Sequence, residues 1–376
     1  MDSRILSTLV ATAVAAGALA AACSDPGALK GEAGLQRDDL GSFTTDTGGE
    51  VDVPFETPDA VVSAMVNCGP YGYETLATAV SITDPSGKDV YDFEHPNSGA
   101  MRVSTLSDYL PVLIPVSPNQ DVDVGKYVMR LVVQADALPT KVSCVTTYRL
   151  QEVADAATVD VHIVFVGVDS VVDHLNATDG EGLDSLKSII TGYGDLLGGV
   201  GISVGDVTYE DFGGNVATYS SVDGEEEFGD LLKTVDGAGT RSITFFFVQD
   251  IQFEEGVSIV GLAGGPPGAA AVGGTSKSGV VVSVVDYNDS PETISLIMAH
   301  ESGHFLGLFH TTEKDGASFD PLDDTDECAE SDGKADPADC AGKGYENVMF
   351  WQPTAADSSD MTGDQGWVVR RSAAVH

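Results

Sequence analysis

The sequence predicts two folded parts in series: an all-β sandwich over 51–152, then an α/β domain over 158–376. Three observations carry this. Between 51 and 152, short β-branched or aromatic runs are separated by turn clusters, and no helical period appears. From 158 onward, apolar strand-like runs alternate with stretches whose apolar residues recur at helical spacing. The length of 376 residues suits about two domains, and a hydrophobic content of 42% is enough to fill two cores.

The N-terminus precedes the fold. Residues 1–22 read as an export signal: Arg4 supplies a basic start, Ile5 to Ala22 carries no charge and no Pro, and small residues lead to Cys23. The stretch Ala20-Ala21-Ala22-Cys23 resembles a bacterial lipoprotein signal. That resemblance implies a lipidated Cys23 and a membrane anchor, although the pattern prefers Leu at the place of Ala20. Plain secretion and an uncleaved anchor are the alternatives, since Ile5 to Ala22 just reaches spanning length. Residues 23–50 are rich in Gly, Asp, Ser and Thr without apolar period, which predicts a solvated tether.

In the sandwich, the strand candidates are Val51 to Val53, Val80 to Ile82, Val112 to Ile114 and Tyr127 to Val133. Asp84-Pro85-Ser86-Gly87 and Ser117-Pro118-Asn119 are turns between them. In the α/β domain, Val159 to Val168, Ile202 to Val207, Ile243 to Val248 and Val280 to Val285 predict strands. Leu183 to Leu197 predicts a helix, with Leu183, Leu186, Ile189, Ile190, Leu196 and Leu197 at helical spacing. Residues 261–279 are Gly-rich but lack both the Gly-Lys-Ser/Thr ending and the GxGxxG spacing of phosphate loops, which predicts a flexible surface loop beside a cleft. A last helix opens with Ser290 as N-cap, Pro291 at its first position and Glu292 near its positive end.

Composition narrows the partners. Lys+Arg is 18 against Asp+Glu 59, a formal net charge of -41. Such a balance argues against nucleic acid and against electrostatic docking on anionic lipid. It suits a salty habitat or an ordinary secreted acidic protein equally. Five cysteines are present. With Cys23 set aside as the anchor, two remain in each half. The natural disulfides are then Cys68–Cys144 and Cys328–Cys340, out of three possible connectivities.

The chemistry concentrates in the last helix. His300-Glu301-Ser302-Gly303-His304 continues to Gly307 and His310, so the stretch reads HExxHxxGxxH. His300 and His304 lie at i and i+4 on one helix face and can grip one Zn²⁺. Glu301, one residue on, can reach a water at the ion without ligating it. Gly307 can end the helix in a left-handed turn that brings His310 to the same ion. Three imidazoles leave a coordination position open, as in catalytic zinc sites.

On these residues the chain resembles the metzincin clan of zinc endopeptidases. The resemblance covers roughly 158–376 and implies a metzincin-like α/β domain, a mixed twisted sheet carrying the active-site helix. It also implies a Met turn at Asn347-Val348-Met349-Phe350. Asp324-Thr325, the late cysteine pair and Thr362-Gly363-Asp364-Gln365 are most similar to the pappalysin-type branch. Two positions depart from that pattern: Trp351, where many relatives carry Tyr, and Asp326, where Pro is preferred. The resemblance implies hydrolysis of protein or peptide substrates, with Glu301 as general base and zinc polarising the carbonyl. A peptide strand is expected to lie on an edge strand from 259–285. Asp315, Asp320, Asp323, Asp324, Asp326, Glu327 and Glu330 crowd the loop after the motif; such oxygens can hold Ca²⁺ or form a solvated acidic loop. The competing function is a surface-binding or adhesion lipoprotein with a structural zinc, in which Glu301 would have no task.

Overall fold

A computed structural model describes residues 34–376 except 71–74, 96–100, 105, 155, 236–240, 255–256 and 330–332. Cys23 and the export signal lie outside the described residues. Two antiparallel sheets form an N-terminal sandwich, and a mixed α/β region with helices follows it.

The sandwich contains β1 (Leu35–Thr44), β2 (Glu50–Thr57), β3 (Ser63–Pro70), β4 (Leu76–Thr83), β5 (Asp89–Asp92), β6 (Leu110–Ile114), β7 (Gly125–Gln134) and β8 (Lys141–Arg149). One sheet runs β1-β8-β3-β6, the other β2-β7-β4-β5. Alternation explains β7: Tyr127, Met129, Leu131 and Val133 are buried, while Arg130 faces out and pairs with Asp52 across the strand. Strand β6 is buried along its whole length, which a strand needs when both faces are covered. Cys68 and Cys144 stand directly opposite each other on β3 and β8 and are bonded.

The tether reading of 23–50 is corrected here, because β1 occupies its middle. Strand β1 is an edge strand with a bulge between Asp39 and Gly41, and only Leu35 in it is buried. A half-buried edge strand with a bulge carries no clean apolar alternation to read.

The second part begins with β9 (Ala157–Phe165), α1 (Asp184–Gly198), β10 (Ile202–Asp211), α2 (Val216–Tyr219), β11 (Ser221–Asp223) and α3 (Gly224–Leu232). It continues with β12 (Ile243–Val248), β13 (Asp250–Glu254), β14 (Val257–Ser258), β15 (Gly261–Ala263), β16 (Val280–Ser283), α4 (Pro291–Leu306), α5 (Pro337–Cys340) and α6 (Gly363–Val369). The main sheet runs β10-β9-β12-β16-β15, parallel except for β15. Side chains alternate between two cores across it. Ile163, Phe245, Phe247 and Val282 join Leu186, Tyr193 and Met298 of α1 and α4. Val164, Phe246 and Val281 join Phe228 and Leu231 of α3. Coverage on both faces accounts for the unbroken apolar run of β12.

Two local expectations are corrected. The Gly-rich stretch 261–279 is packed: Ala269 to Val272, Ser276 and Ser278 are buried. Its small residues let it approach α4, where Gly268 N–H donates to Phe305 O at 2.9 Å and a Cβ on Gly268 would lie 2.0 Å from Phe305 Cδ2. Within that stretch β15 is the sheet's outermost strand. Ser290 does occupy the N-cap of α4 with Pro291 following, but its hydroxyl pairs with Thr293 Oγ1 at 2.7 Å and caps no backbone group. Among the described residues no helix is long and apolar enough to cross a membrane. The two disulfides suit an oxidising, extracytoplasmic compartment.

Candidate metal centre

Helix α4 is buried on every side from Ile294 to Leu306, so its polar residues must find partners inside the protein. It ends at Gly307, whose φ of 113° is open to glycine and rarely to other residues. Leu308 N–H returns to Gly303 O at 2.8 Å, and the chain reverses toward His310. The result brings His300, His304 and His310 together, with one nitrogen of each within 4.8 Å of the others.

The hydrogen bonds decide which nitrogen each ring offers. His300 Nδ1 lies 2.7 Å from Val348 O and His304 Nδ1 lies 2.8 Å from Leu308 O. His310 Nδ1 lies 2.7 Å from Glu313 Oε2. Each partner is an acceptor, so each Nδ1 carries the proton and each Nε2 of a neutral ring is left with its lone pair. Burial keeps the two helix rings neutral: it pushes His300 down to about 3 and holds His304 well below the usual range. His304 Nε2 and His310 Nε2 are 3.1 Å apart, two lone pairs face to face. A cation between them resolves that conflict, so the donor set fits a metal ion. Three neutral imidazoles suit zinc and leave a position open.

Glu301 leaves the helix one residue after His300 and is 7% exposed. It faces β15. A Cβ on Gly261 would lie 2.9 Å from Glu301 Cγ, and the Ala263 backbone hydrogen-bonds the carboxyl. Burial raises Glu301 to about 8, the Ala263 bond opposing. Positive charge at the triad favours the ionised form again.

Met349 is fully buried and lies against Gly303 of α4, one residue before His304. A Cβ on Gly303 would lie 2.3 Å from its Sδ, so only glycine on α4 admits it. The turn is braced on both sides. Met349 N–H donates to Asn347 Oδ1 at 2.8 Å, and Thr311 N–H donates to Met349 O at 3.0 Å. The amides of Asn347 and Gln365 pair through two 3.0 Å bonds, and Thr362 and Gln365 form the capping box of α6. The Thr362-x-x-Gln365 spacing signals that box in the sequence; its role as the brace of the Met turn needs the fold.

Trp351 does not aim its donor at the triad. Its Nε1–H is engaged by Ala335 O at 2.8 Å, across the loop closed by the Cys328–Cys340 disulfide. The acidic residues of that loop diverge. Asp315 accepts from Ala317 and Ser318 of its own turn, Asp323 accepts from Asn119, and Asp324 accepts from Asp364 N–H. Asp326 and Glu327 are exposed. Glu330 lies outside the described residues. Asp320 alone is buried among them: Oδ1 accepts from Thr325 at 2.7 Å, Oδ2 has no partner, and burial pushes the acid up to about 7. Sequence reasoning missed Glu313, three residues after His310 in a run where a carboxylate beside a ligand histidine is informative. It also missed Arg102, for which no local signal exists.

No family model matches the chain, and no curated protein matches it. Among solved structures it is similar to metalloproteinase-II from Bacteroides fragilis, at 14% identity and a TM-score of 0.32, over 58% of this chain and 54% of that one. The chain thus spans about half the length of that metalloproteinase. It is also similar to infectious bursal disease virus Gx strain, at 10% identity and TM-score 0.20, over 31% and 32% of the two chains. A family two carbohydrate esterase from Clostridium thermocellum matches at 11% identity and TM-score 0.16, over 57% and 75%. The functional reading rests on the site's own chemistry.

Proposed function

We propose that the chain is an exported zinc-dependent endopeptidase of metzincin type, with His300, His304 and His310 as ligands and Glu301 as general base. The observation that carries this is the convergence of three Nε2 lone pairs beside a buried carboxylate that abuts the sheet's edge strand. Zinc at such a site lowers the pKa of water to about 7 and stabilises the developing oxyanion. An extended peptide pairs with the outer edge of β15, which sets its scissile carbonyl beside Glu301. Glu301 takes the proton of the attacking water and delivers it to the leaving nitrogen. Its burial beside the Ala263 backbone holds it in place without ordering at the moment of reaction.

An adhesion protein with a structural zinc is the alternative, and the buried Glu301 speaks against it: a structural site has no use for a carboxylate that costs burial free energy. The experiment is zinc analysis of the purified chain together with digestion of casein, before and after a strong chelator. About one zinc per chain and chelator-sensitive cleavage are expected. Unchanged cleavage by metal-free protein overturns the proposal. Asp324-Thr325 and Thr362-Gly363-Asp364-Gln365 support the pappalysin-type branch. The Cys23 signal supports a lipid anchor, and Cys23→Ser is expected to release the protein from membranes. Calcium in the acidic loop is supported by the unpartnered Asp320 Oδ2.

A further inference from the structure

His310 differs from its two companions. His300 and His304 stand on one helix and are oriented by backbone carbonyls. His310 follows the Gly307 turn on a loop, and a side chain, Glu313, holds its Nδ1. A side chain orients a ring only as well as it is itself held. One carboxylate oxygen of Glu313 takes the His310 bond at 2.7 Å; the other accepts from Arg102 Nη2 at 2.8 Å. Arg102 belongs to the sandwich, in the connection between β5 and β6. Its other arm donates to Phe319 O at 2.8 Å, and its guanidinium lies 4.6 Å over the Phe309 ring. The fork is therefore fixed at three points around the loop that carries the third ligand. The sandwich is seated close by: Leu113 of β6 meets Gly307, and Ser104 Oγ donates to Pro266 O.

We propose that the β-sandwich completes the metal centre: Arg102 is a positioning residue that locks Glu313, and Glu313 in turn locks the His310 ring. The inference rests on the reading of the triad as a zinc site. It gives the first domain a task, because the second domain alone would present His310 on a carboxylate free to rotate. Removing the partner of a ligating histidine typically weakens a metal site by about 10- to 100-fold.

The test uses the full-length chain with Arg102→Ala, Glu313→Ala and the double variant. Asn119→Ala, which removes the sandwich contact to Asp323 and leaves the relay intact, is the control. Zinc affinity is measured by competition with a chromophoric chelator, and the ligand field by the visible spectrum of the Co²⁺-substituted protein. Arg102→Ala is expected to weaken zinc binding by about tenfold and Glu313→Ala by about 10- to 100-fold, with an altered Co²⁺ spectrum in each. The double variant should bind no more weakly than Glu313→Ala, because Arg102 acts through Glu313. Asn119→Ala should match wild type in both readouts. If Arg102→Ala does not accumulate in folded form, Arg102→Lys serves, with a loss between wild type and Glu313→Ala. Wild-type affinity and spectrum in the Arg102 variant, or a full additional loss in the double variant, overturns the relay while leaving the zinc site standing. Failure of the wild type to bind zinc overturns both.

Discussion

Replacing Gly307 with Ala tests whether the turn after α4 delivers the third ligand. Two costs can be read from its surroundings. The φ of 113° lies where L side chains are strained, at about 1–3 kcal/mol. The added Cβ would lie 2.8 Å from Leu113 Cδ2 in the sandwich, and overpacking of this kind costs about 1–3 kcal/mol. A total near 3 kcal/mol lowers Tm by roughly 6–12 °C for a domain of this size. Scanning calorimetry of the metal-free chain measures that loss, and chelator competition measures zinc affinity, which should fall as His310 is displaced. Leu113→Ala separates the two costs: in the double variant the clash disappears and the backbone strain stays, so the pair should couple by about 1–3 kcal/mol. A Gly307→Ala loss under about 0.5 kcal/mol, or no coupling to Leu113, would refute the described turn.

Two further perturbations probe the surroundings. Burial raises Asp320 from its ordinary value of 3.8 to about 7, so the folded state binds this proton more tightly than the unfolded state does. The resulting penalty is absent below about pH 4, grows as pH rises, and is complete above about pH 7 at up to about 4 kcal/mol. In calcium-free buffer, Asp320→Asn should therefore stabilise the protein at pH 8 relative to wild type and have little effect at pH 4, as read from Tm; a difference independent of pH contradicts this. Gln365→Ala leaves the buried Asn347 Nδ2 donor without its acceptor, so it should cost about 1–3 kcal/mol in urea denaturation and weaken zinc binding through the Met349 turn.

What could be read from the sequence was chemistry carried by local spacing. His300, His304 and Glu301 follow from helix geometry alone, and Gly307 from its place at the helix end. The run Ile243 to Val248 matches β12 residue for residue, because a strand buried on both faces is apolar throughout. Leu183 to Leu197 matches α1 to within one residue at each end. What could not be read depended on distant partners. Strand β1 has no apolar alternation because its neighbour β8, about a hundred residues on, supplies the hydrogen bonds that define it. The Gly-rich stretch is buried only because Phe305 and its helix lie against it. The acidic text of Glu225 to Glu227 hides the short helix α3, whose anchors are Phe228 and Leu231. Arg102 meets Glu313 across 211 residues of sequence, and no local pattern marks Arg102.

The most direct measurement pairs zinc content with peptide hydrolysis in Glu301→Gln. This change keeps the size of the side chain and removes the base. Zinc content should stay at about one per chain and Tm near wild type, while kcat for a cleaved peptide falls by at least about 10²-fold. Loss of zinc together with activity would make Glu301 a structural part of the site, and full activity with zinc retained would place the proton acceptor elsewhere.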